Sequence, residues 1–202
     1  SGSMNNYTAP KVQLQSPKDV EVDSDGNTYV LSPSKCSVTK IDATTKKKVR
    51  EYKRRCGSSY RALYYPTSMA INNVKKEIVV ANTYRRTLMY FDFNLSVIRI
   101  ADIPYYPFAI GWDTTNDIIY FTSTWSGHNH VWKITDTTSE QPSYNRGSNA
   151  STSQAERNQK KGFTQYPYDI AFDSSGNMYV ADAGYHKIVK YDSNHAYVTE
   201  WG

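Results

Sequence analysis

Cysteine and histidine are scarce in this chain of 202 residues, which contains two cysteines and four histidines. Two cysteines cannot build a disulfide scaffold or supply the usual ligand set of a structural zinc site. No apolar run approaches the roughly 20 residues of a membrane-spanning helix, so we expect no membrane insertion. Phosphate-binding glycine loops, nucleophile elbows and HExxH motifs are also missing, so we predict no catalytic residues and no cofactor.

Aromatic residues, by contrast, are abundant, at 14% of the chain with 18 tyrosines. Helix-forming residues are scarce relative to Tyr, Val, Ile and Thr. This bias is typical of pleated, half-buried strands. The composition therefore favours an all-β fold.

A segment with a proline just before an apolar strand recurs four times, at residues 16–23, 65–72, 106–113 and 166–173. Each copy is followed by a polar turn, a second strand, a loop and a third strand, and most units end with a fourth strand. Turns such as Asp25-Gly26-Asn27 supply the positive φ of a tight hairpin. Each unit is predicted to be a four-stranded antiparallel meander, and stacking such sheets radially buries their faces.

The fourth unit resembles an NHL repeat. Residues 166–173 match the family's P-x-G-I/V-A-V/F-D strand, and residues 177–188 match its G-N-I/L-Y-V-A-D strand and the following H-R/K-I strand. Tyr185 stands where the family has Asn before His, and the first three units keep only the strand pattern. The resemblance implies a β-propeller of four four-stranded antiparallel blades, as a closed ring or as an open arc of a larger, typically six-bladed propeller.

The expected domain boundaries follow from the repeats. Residues 1–4 resemble an expression scar and residues 5–15 an N-terminal extension, so the propeller is expected over 16–202. The blades are expected at about 16–60, 61–103, 104–136 and 163–202. Residues 137–162 are polar and lack apolar periodicity, so they are predicted to be a flexible loop.

Loops that join the second and third strands of each blade meet on one face of a propeller. Their candidate ligand-binding residues are Tyr84, Arg85, Arg86, Trp125, His128, Tyr185 and His186. Tyr, Trp and Arg often dominate binding energy, so we predict a non-enzymatic module that presents this face to a protein or glycan partner. The alternative is that these loops are simply polar and exposed.

A basic patch gives a second hypothesis, RNA binding, as in some NHL domains of TRIM-type proteins. Its residues are Lys46, Lys47, Lys48, Arg50, Lys53, Arg54 and Arg55. An RNA reader is expected to place aromatic residues beside its basic patch, whereas this patch is predicted on an outer strand away from Tyr84 and Trp125. Charges on such a strand also prevent edge-to-edge pairing, which is the structural alternative.

A third hypothesis is a degenerate enzyme similar to the amidating lyases, which bind zinc through histidines on this general fold. His128 and His130 form an H-x-H pair, but no third ligand is evident and the first two units contain no histidine, so no metal site is predicted. Asp23, Asp113 and Asp173 recur at the ends of first strands, which favours turn capping over catalysis.

Cys36 and Cys56 lie in one unit and are predicted to form a disulfide if the protein is secreted. Together with three N-x-Ser/Thr sequons, at Asn6, Asn94 and Asn149, they favour an extracellular or secretory location, and otherwise a cytoplasmic one. The oligomeric state and the ligand's identity stay open at this point.

Overall fold

The computed structural model describes residues 12–57, 59–124, 129–135, 138–140, 162 and 164–202. Within these ranges the chain forms sixteen β-strands and two single-turn 3-10 helices, with no α-helix. The strands form four four-stranded antiparallel sheets, each ordered as in the chain. The prediction of an all-β fold built from four such sheets is therefore confirmed.

The sheets follow one another along the chain. Sheet 1 contains β1 Asp19–Val22, β2 Thr28–Ser32, β3 Ser37–Ile41 and β4 Lys48–Lys53. Sheet 2 contains β5 Pro66–Asn72, β6 Glu77–Asn82, β7 Thr87–Asp92 and β8 Val97–Asp102. Sheet 3 contains β9 Ile110–Asp113, β10 Ile118–Ser123, β11 His130–Thr135 and β12 Thr138–Glu140. Sheet 4 contains β13 Pro167–Phe172, β14 Met178–Asp182, β15 Lys187–Tyr191 and β16 Tyr197–Trp201.

Strand β12 lies in the segment that the polar composition assigns to a loop, and it pairs with β11 as the outer strand of sheet 3. The predicted mobility of the rest of that segment falls largely on residues 141–161, which lie outside the described residues.

The four sheets pack face to face in chain order. The first strand of each sheet lies on the inside of this arrangement and contacts the first strands of the neighbouring sheets. Strand β5 contacts both β1 and β9, and β9 contacts β13. Three apolar clusters fill the junctions between sheets 1 and 2, sheets 2 and 3, and sheets 3 and 4. Each sheet thus buries against its neighbours the apolar surface that it cannot bury alone.

Burial shows that the described sheets form an open arc. Strand β5, between two sheets, has buried side chains on both faces. Strands β1 and β13, at the two ends of the arc, alternate between more and less exposed positions. One face of each end sheet is therefore not covered by a neighbouring described sheet.

Close packing between the inner strands requires a small residue at Gly111 on β9. A Cβ atom at this position would lie 2.9 Å from Ile170 Cγ2 and 3.0 Å from Phe172 Cε2 on β13. Real Cβ atoms do not approach other carbons so closely, so a larger residue would push sheets 3 and 4 apart.

The predicted capping role of the recurrent aspartates is confirmed. Asp23 Oδ1 accepts hydrogen bonds from the backbone N–H groups of Asp25 and Asn27. Asp113 and Asp173 accept equivalent bonds in their own turns. These side chains hold the turn between the first two strands of three sheets.

The predicted pairing of Cys36 and Cys56 is also present, with a Cα–Cα distance of 5.4 Å. Cys36 ends the 3-10 turn Pro33–Lys35 in the left-handed conformation. The disulfide therefore ties the loop between β2 and β3 to the chain that leaves β4.

Candidate functional site

The loop face is the edge of the arc that carries the loops between second and third strands and the connections from one sheet to the next. Because the sheets are antiparallel meanders, these two kinds of loop come to the same edge. The first strands also start there, which brings Lys18, Thr67, Phe108 and Tyr168 to the mouth of the central channel.

Buried polar residues at the ends of second strands hold the incoming connections in place. The side-chain amide of Asn82 is fully buried, accepts a hydrogen bond from Tyr64 N at 2.7 Å and donates to the Ala62 carbonyl oxygen at 3.0 Å. The carboxylate of Asp182 likewise accepts from the backbone N–H groups of Gln165 and Tyr166. A satisfied buried network of this kind fixes the backbone of the loop face.

An aromatic ridge, defined as Tyr64, Tyr84, Tyr65, Lys18, Phe108 and Tyr168, crosses the loop face. The Tyr65 and Tyr84 rings stack with centroids 4.8 Å apart, and the Tyr64 ring meets Tyr84 edge-on. Lys18 Nζ lies 6.0 Å from the Tyr65 centroid and 4.9 Å from the Phe108 centroid, within reach of cation–π attraction. The Phe108 ring contacts Tyr168 edge-on at 5.0 Å.

The ridge is well exposed although its rings contact one another. Tyr64, Tyr65, Tyr84 and Tyr168 expose between 40% and 49% of their surface. Apolar surface of this kind, held in place by a rigid scaffold, marks binding sites on soluble proteins.

Below the ridge, carboxylates make the channel mouth acidic. A cavity of about 210 Å³ is lined by residues from all four sheets, including Asp19 and Asp169. Burial, reinforced by the charges of Asp19 and Asp169, raises the pKa of Glu21 to about 7. Burial and the charge of Asp19 also raise the pKa of Asp169. The site combines aromatic rings at the rim with negative charge beneath them.

The ligand-binding residues predicted from the sequence do not all come together. Tyr84 lies in the ridge. Arg86, two residues further along the chain, places its guanidinium 5.8 Å from the ring centroid of Tyr106, which is not part of the ridge. Arg85, in the same turn, is partly buried. Trp125 and His128 lie outside the described residues.

Tyr185 and His186 form a separate part of the loop face on sheet 4. Lys187 Nζ lies 5.1 Å from the Tyr185 ring centroid. His186 lines a shallow apolar cavity of about 340 Å³ with Ile188 and Trp201. These contacts place the two residues at the edge of the sheet 4 face that points out of the arc.

The basic patch runs along sheet 1 from one edge to the other. Lys46 and Lys47 lie in the turn before β4, at the edge opposite the loop face, and Arg54 and Arg55 follow β4 on the loop-face side. Several of its charges have protein partners. Arg50 Nε donates to the Asn94 carbonyl oxygen at 3.2 Å, and Lys48 Nζ pairs with Glu51 at 3.0 Å.

A groove of about 450 Å³ runs beside β4. It is lined by Lys35, Lys47, Lys48, Lys53, Glu51, Val12 and Gln13. The groove contains no aromatic residue among its lining residues, so it lacks the base-stacking platform that RNA readers use.

Apart from His186, the histidines in the described part of the chain, His130 and His195, lie in structural positions. His130 is buried and its ring meets Trp132 edge-on. His195 Nε2 lies 2.9 Å from the Tyr120 hydroxyl and 3.7 Å from Asp113 Oδ2, at the junction of sheets 3 and 4. The described residues contain no group of three or more His, Cys, Asp or Glu side chains placed to hold a metal. No helix of these residues is long and apolar enough to cross a membrane.

Sequence reasoning missed the connections that enter each sheet. The prediction covers only loops between second and third strands, whereas the ridge also contains residues at or just before the first strands, namely Tyr64, Tyr65, Phe108 and Tyr168. A signal was available, since an aromatic residue flanks the repeated proline in three of the four units. Because first strands start around one channel, aromatic residues beside these three prolines are expected to lie near the channel mouth.

Comparison with known proteins supports the architecture. No protein-family model and no curated protein sequence matches the chain. Hydrazine synthase of Kuenenia stuttgartiensis is similar with a TM-score of 0.67 and 16% identity, over 98% of this chain and 52% of that chain. Virginiamycin B lyase of Staphylococcus aureus is similar with a TM-score of 0.63 and 15% identity, over 92% of this chain and 55% of that chain. U3-55K is similar with a TM-score of 0.66 and 11% identity, over 94% of this chain and 53% of that chain.

This chain therefore spans about half the length of these similar structures. At such low identities the likeness concerns the fold alone, and the activities of those proteins do not transfer. The similar structures have propeller-type folds, and the four radially packed meanders of this chain are an arc of a β-propeller.

Proposed function

We propose that this chain is a non-enzymatic interaction module of the NHL type and that its aromatic ridge binds a protein partner. The observation that carries the proposal is the ridge itself, in which six side chains from all four sheets meet at an exposed, rigidly held surface. Tyrosine offers a large contact area with few rotatable bonds, which is why it is enriched in binding hot spots.

The chemistry of the mouth favours a partner segment with a basic side chain beside an apolar one. Rings of Tyr65, Phe108 and Tyr168 attract a cation through their faces, and Asp19 and Asp169 supply negative charge below them. Lys18 already places its own ammonium group over the Phe108 ring. A partner's lysine or arginine would take a similar position while its apolar neighbours cover Tyr65 and Tyr84.

A selection from a library of displayed random peptides tests this proposal, followed by calorimetric titration of the selected peptides. Tyr65→Ala with Tyr84→Ala should weaken binding about thirtyfold or more, as expected for central hot-spot residues. Tyr60→Ala is the matched control, since Tyr60 is an exposed tyrosine outside the ridge. The double variant should keep a melting temperature close to the wild type.

Other outcomes would contradict the proposal. Selected peptides that bind the double variant as tightly as the wild type would show that the ridge is not the site. Binding to a glycan array with no selected peptide would replace the protein partner by a glycan. Single-stranded RNA binding that Lys47→Glu and Lys53→Glu abolish, and that falls steeply with salt, would favour the basic patch instead.

A further inference from the structure

Each sheet inside the arc turns one face toward the next sheet, and sheet 4 has the same kind of face. On sheet 2 this face is buried against sheet 3 and carries Ala70, Val79, Ala81 and Leu88. The repeat places Ala171, Tyr179, Ala181 and Ile188 at the equivalent positions of sheet 4. Here the same positions are only partly buried or exposed. The outward face of sheet 4 is thus built as a junction face.

Polar groups on the outward face of sheet 4 also match those found where sheet 1 packs against sheet 2. On sheet 1 the Tyr29 hydroxyl lies 3.0 Å from Asp23 Oδ2 and 3.1 Å from the Phe93 carbonyl oxygen of sheet 2. Lys40 Nζ donates to the same carbonyl at 3.0 Å and lies 5.2 Å from the Tyr29 ring centroid. Two side chains of sheet 1 thereby bind the turn between β7 and β8.

Sheet 4 repeats this arrangement at its outward face. The Tyr179 hydroxyl donates to Asp173 Oδ2 at 3.0 Å, and Lys190 Nζ lies 5.2 Å from the Tyr179 ring centroid. The geometry is that of Tyr29, Asp23 and Lys40. The outward face is therefore preorganised to receive the turn carbonyl of a further sheet.

The other end of the arc carries the complementary face. Val20 and Val22 on β1 expose 56% and 52% of their surface. Their equivalents on sheet 3 are Ile110 and Trp112, which are buried against sheet 2. Val12 and Gln13 lie beside the outer strand β4 and leave Val20 and Val22 accessible. By the repeat, the turn residue equivalent to Phe93 in sheet 1 is Ala43.

We propose that the outward face of sheet 4 in one copy of this chain packs on the outward face of sheet 1 in a second copy. Ala43 of the second copy would place its carbonyl oxygen near Tyr179 and Lys190. Each copy has one face of each kind, so two copies joined at both ends form a closed ring of eight sheets. The chain covers 52–55% of similar propeller structures, so two copies supply about the length of one such chain.

Light scattering coupled to size exclusion, over a wide range of concentration, tests this proposal. The wild type should reach a mass twice 23.1 kDa. Ala181→Arg places an unpaired charge in the junction, and Val22→Arg does so on the partner face. Each variant should raise the dissociation constant by at least about a hundredfold. Val74→Arg, at a valine that is 88% exposed in the turn after β5, is the matched control and should associate like the wild type.

A mixture of the two arginine variants distinguishes this docking from other modes of association. The Ala181→Arg chain keeps an intact sheet 1 face, and the Val22→Arg chain keeps an intact sheet 4 face. Mixing them should form a dimer joined at one junction, whereas either variant alone stays monomeric. Circular dichroism and thermal unfolding of each variant confirm that it is folded before the masses are compared.

Several results would overturn the proposal. The proposal would be wrong if the wild type stays monomeric at every concentration. It would also be wrong if neither arginine variant weakens self-association, because other surfaces would then hold the copies together. Failure of the mixture to associate, when the wild type does, would refute the pairing of sheet 4 with sheet 1. Association of one arginine variant alone, as tight as that of the wild type, would point to a contact between two like faces. Assemblies larger than two copies that both variants abolish would support the docking and refute closure at two copies.

Discussion

Glu21 is the most informative residue to perturb, because its carboxyl group lies in the acidic channel of the arc. Burial and the nearby charges of Asp19 and Asp169 raise its pKa from 4.5 to about 7. The ionised form is therefore disfavoured in the folded state. Replacing Glu21 by Gln removes the charge and keeps a side chain of nearly the same shape.

The magnitude follows from the shift in pKa. One pKa unit corresponds to about 1.4 kcal/mol, so the shift represents about 3 kcal/mol against the ionised folded state. Solvent that reaches the channel screens part of this, so we expect about 2 kcal/mol. The raised pKa means that the folded protein binds more protons than the unfolded chain between pH 4.5 and 7. Wild-type stability from this group is present below pH 4.5 and is lost as the pH rises through 7.

Urea unfolding at pH 4 and pH 8 measures the effect. Glu21→Gln should match the wild type at pH 4 and be more stable by about 2 kcal/mol at pH 8. Glu77→Gln, which removes a carboxylate at the start of β6, outside the channel, is the control variant. An equal gain at both pH values, or none at pH 8, would refute the placement of this carboxyl group in the channel.

Three further predictions concern the fold. Replacing Cys36 and Cys56 by Ser should lower the free energy of unfolding by about 3 kcal/mol, since the bond closes a loop of roughly 20 residues; an unchanged urea midpoint would contradict this. Burial alone would raise the pKa of Asp23, but hydrogen bonds from Asn27 and Tyr29 lower it below 3.8. The wild type therefore loses stability when Asp23 is protonated in acid, and the free energy of unfolding of Asp23→Ala should fall less steeply than that of the wild type below pH 3.8. Burial lowers the pKa of His195 from 6.5 despite the charge of Asp113, so the folded state disfavours the protonated imidazole. The melting temperature of the wild type should therefore fall as the pH drops from 7.5 to 5, and the melting temperature of His195→Gln should fall less over the same range.

Much of the fold could be predicted from the sequence because the repeat carries it. A proline before an apolar strand, an aspartate at the strand's end and a glycine in the next turn are local signals, and each has a backbone cause. The pairing of Cys36 with Cys56, predicted for a secreted protein, follows from their positions flanking the third and fourth strands of one unit. Strand β12 was not predicted, since its three residues lie in a polar segment with no apolar alternation to indicate a strand.

The site was harder to predict because it depends on contacts between repeats. Tyr64 and Tyr65 meet Tyr84 only because the buried amide of Asn82 holds their connection against the loop. An asparagine at the end of an apolar strand has the sequence pattern of an ordinary turn residue, and nothing local in the sequence shows that it is buried. The basic patch, although it is the strongest charge signal in the sequence, extends along the outer strand of sheet 1, whereas the ridge is built from loops and the starts of first strands.

The differences between equivalent positions are more informative about function than their similarities. At the inner-strand position occupied by Ala70, Gly111 and Ala171, a small residue lets the sheets approach, and Glu21 alone departs from this rule. Three residues earlier, the equivalent positions carry four different side chains, those of Lys18, Thr67, Phe108 and Tyr168. Packing at the mouth does not require such variety, since all four positions begin the same kind of strand. We therefore propose that these four side chains, which meet around one channel, contribute to the choice of partner.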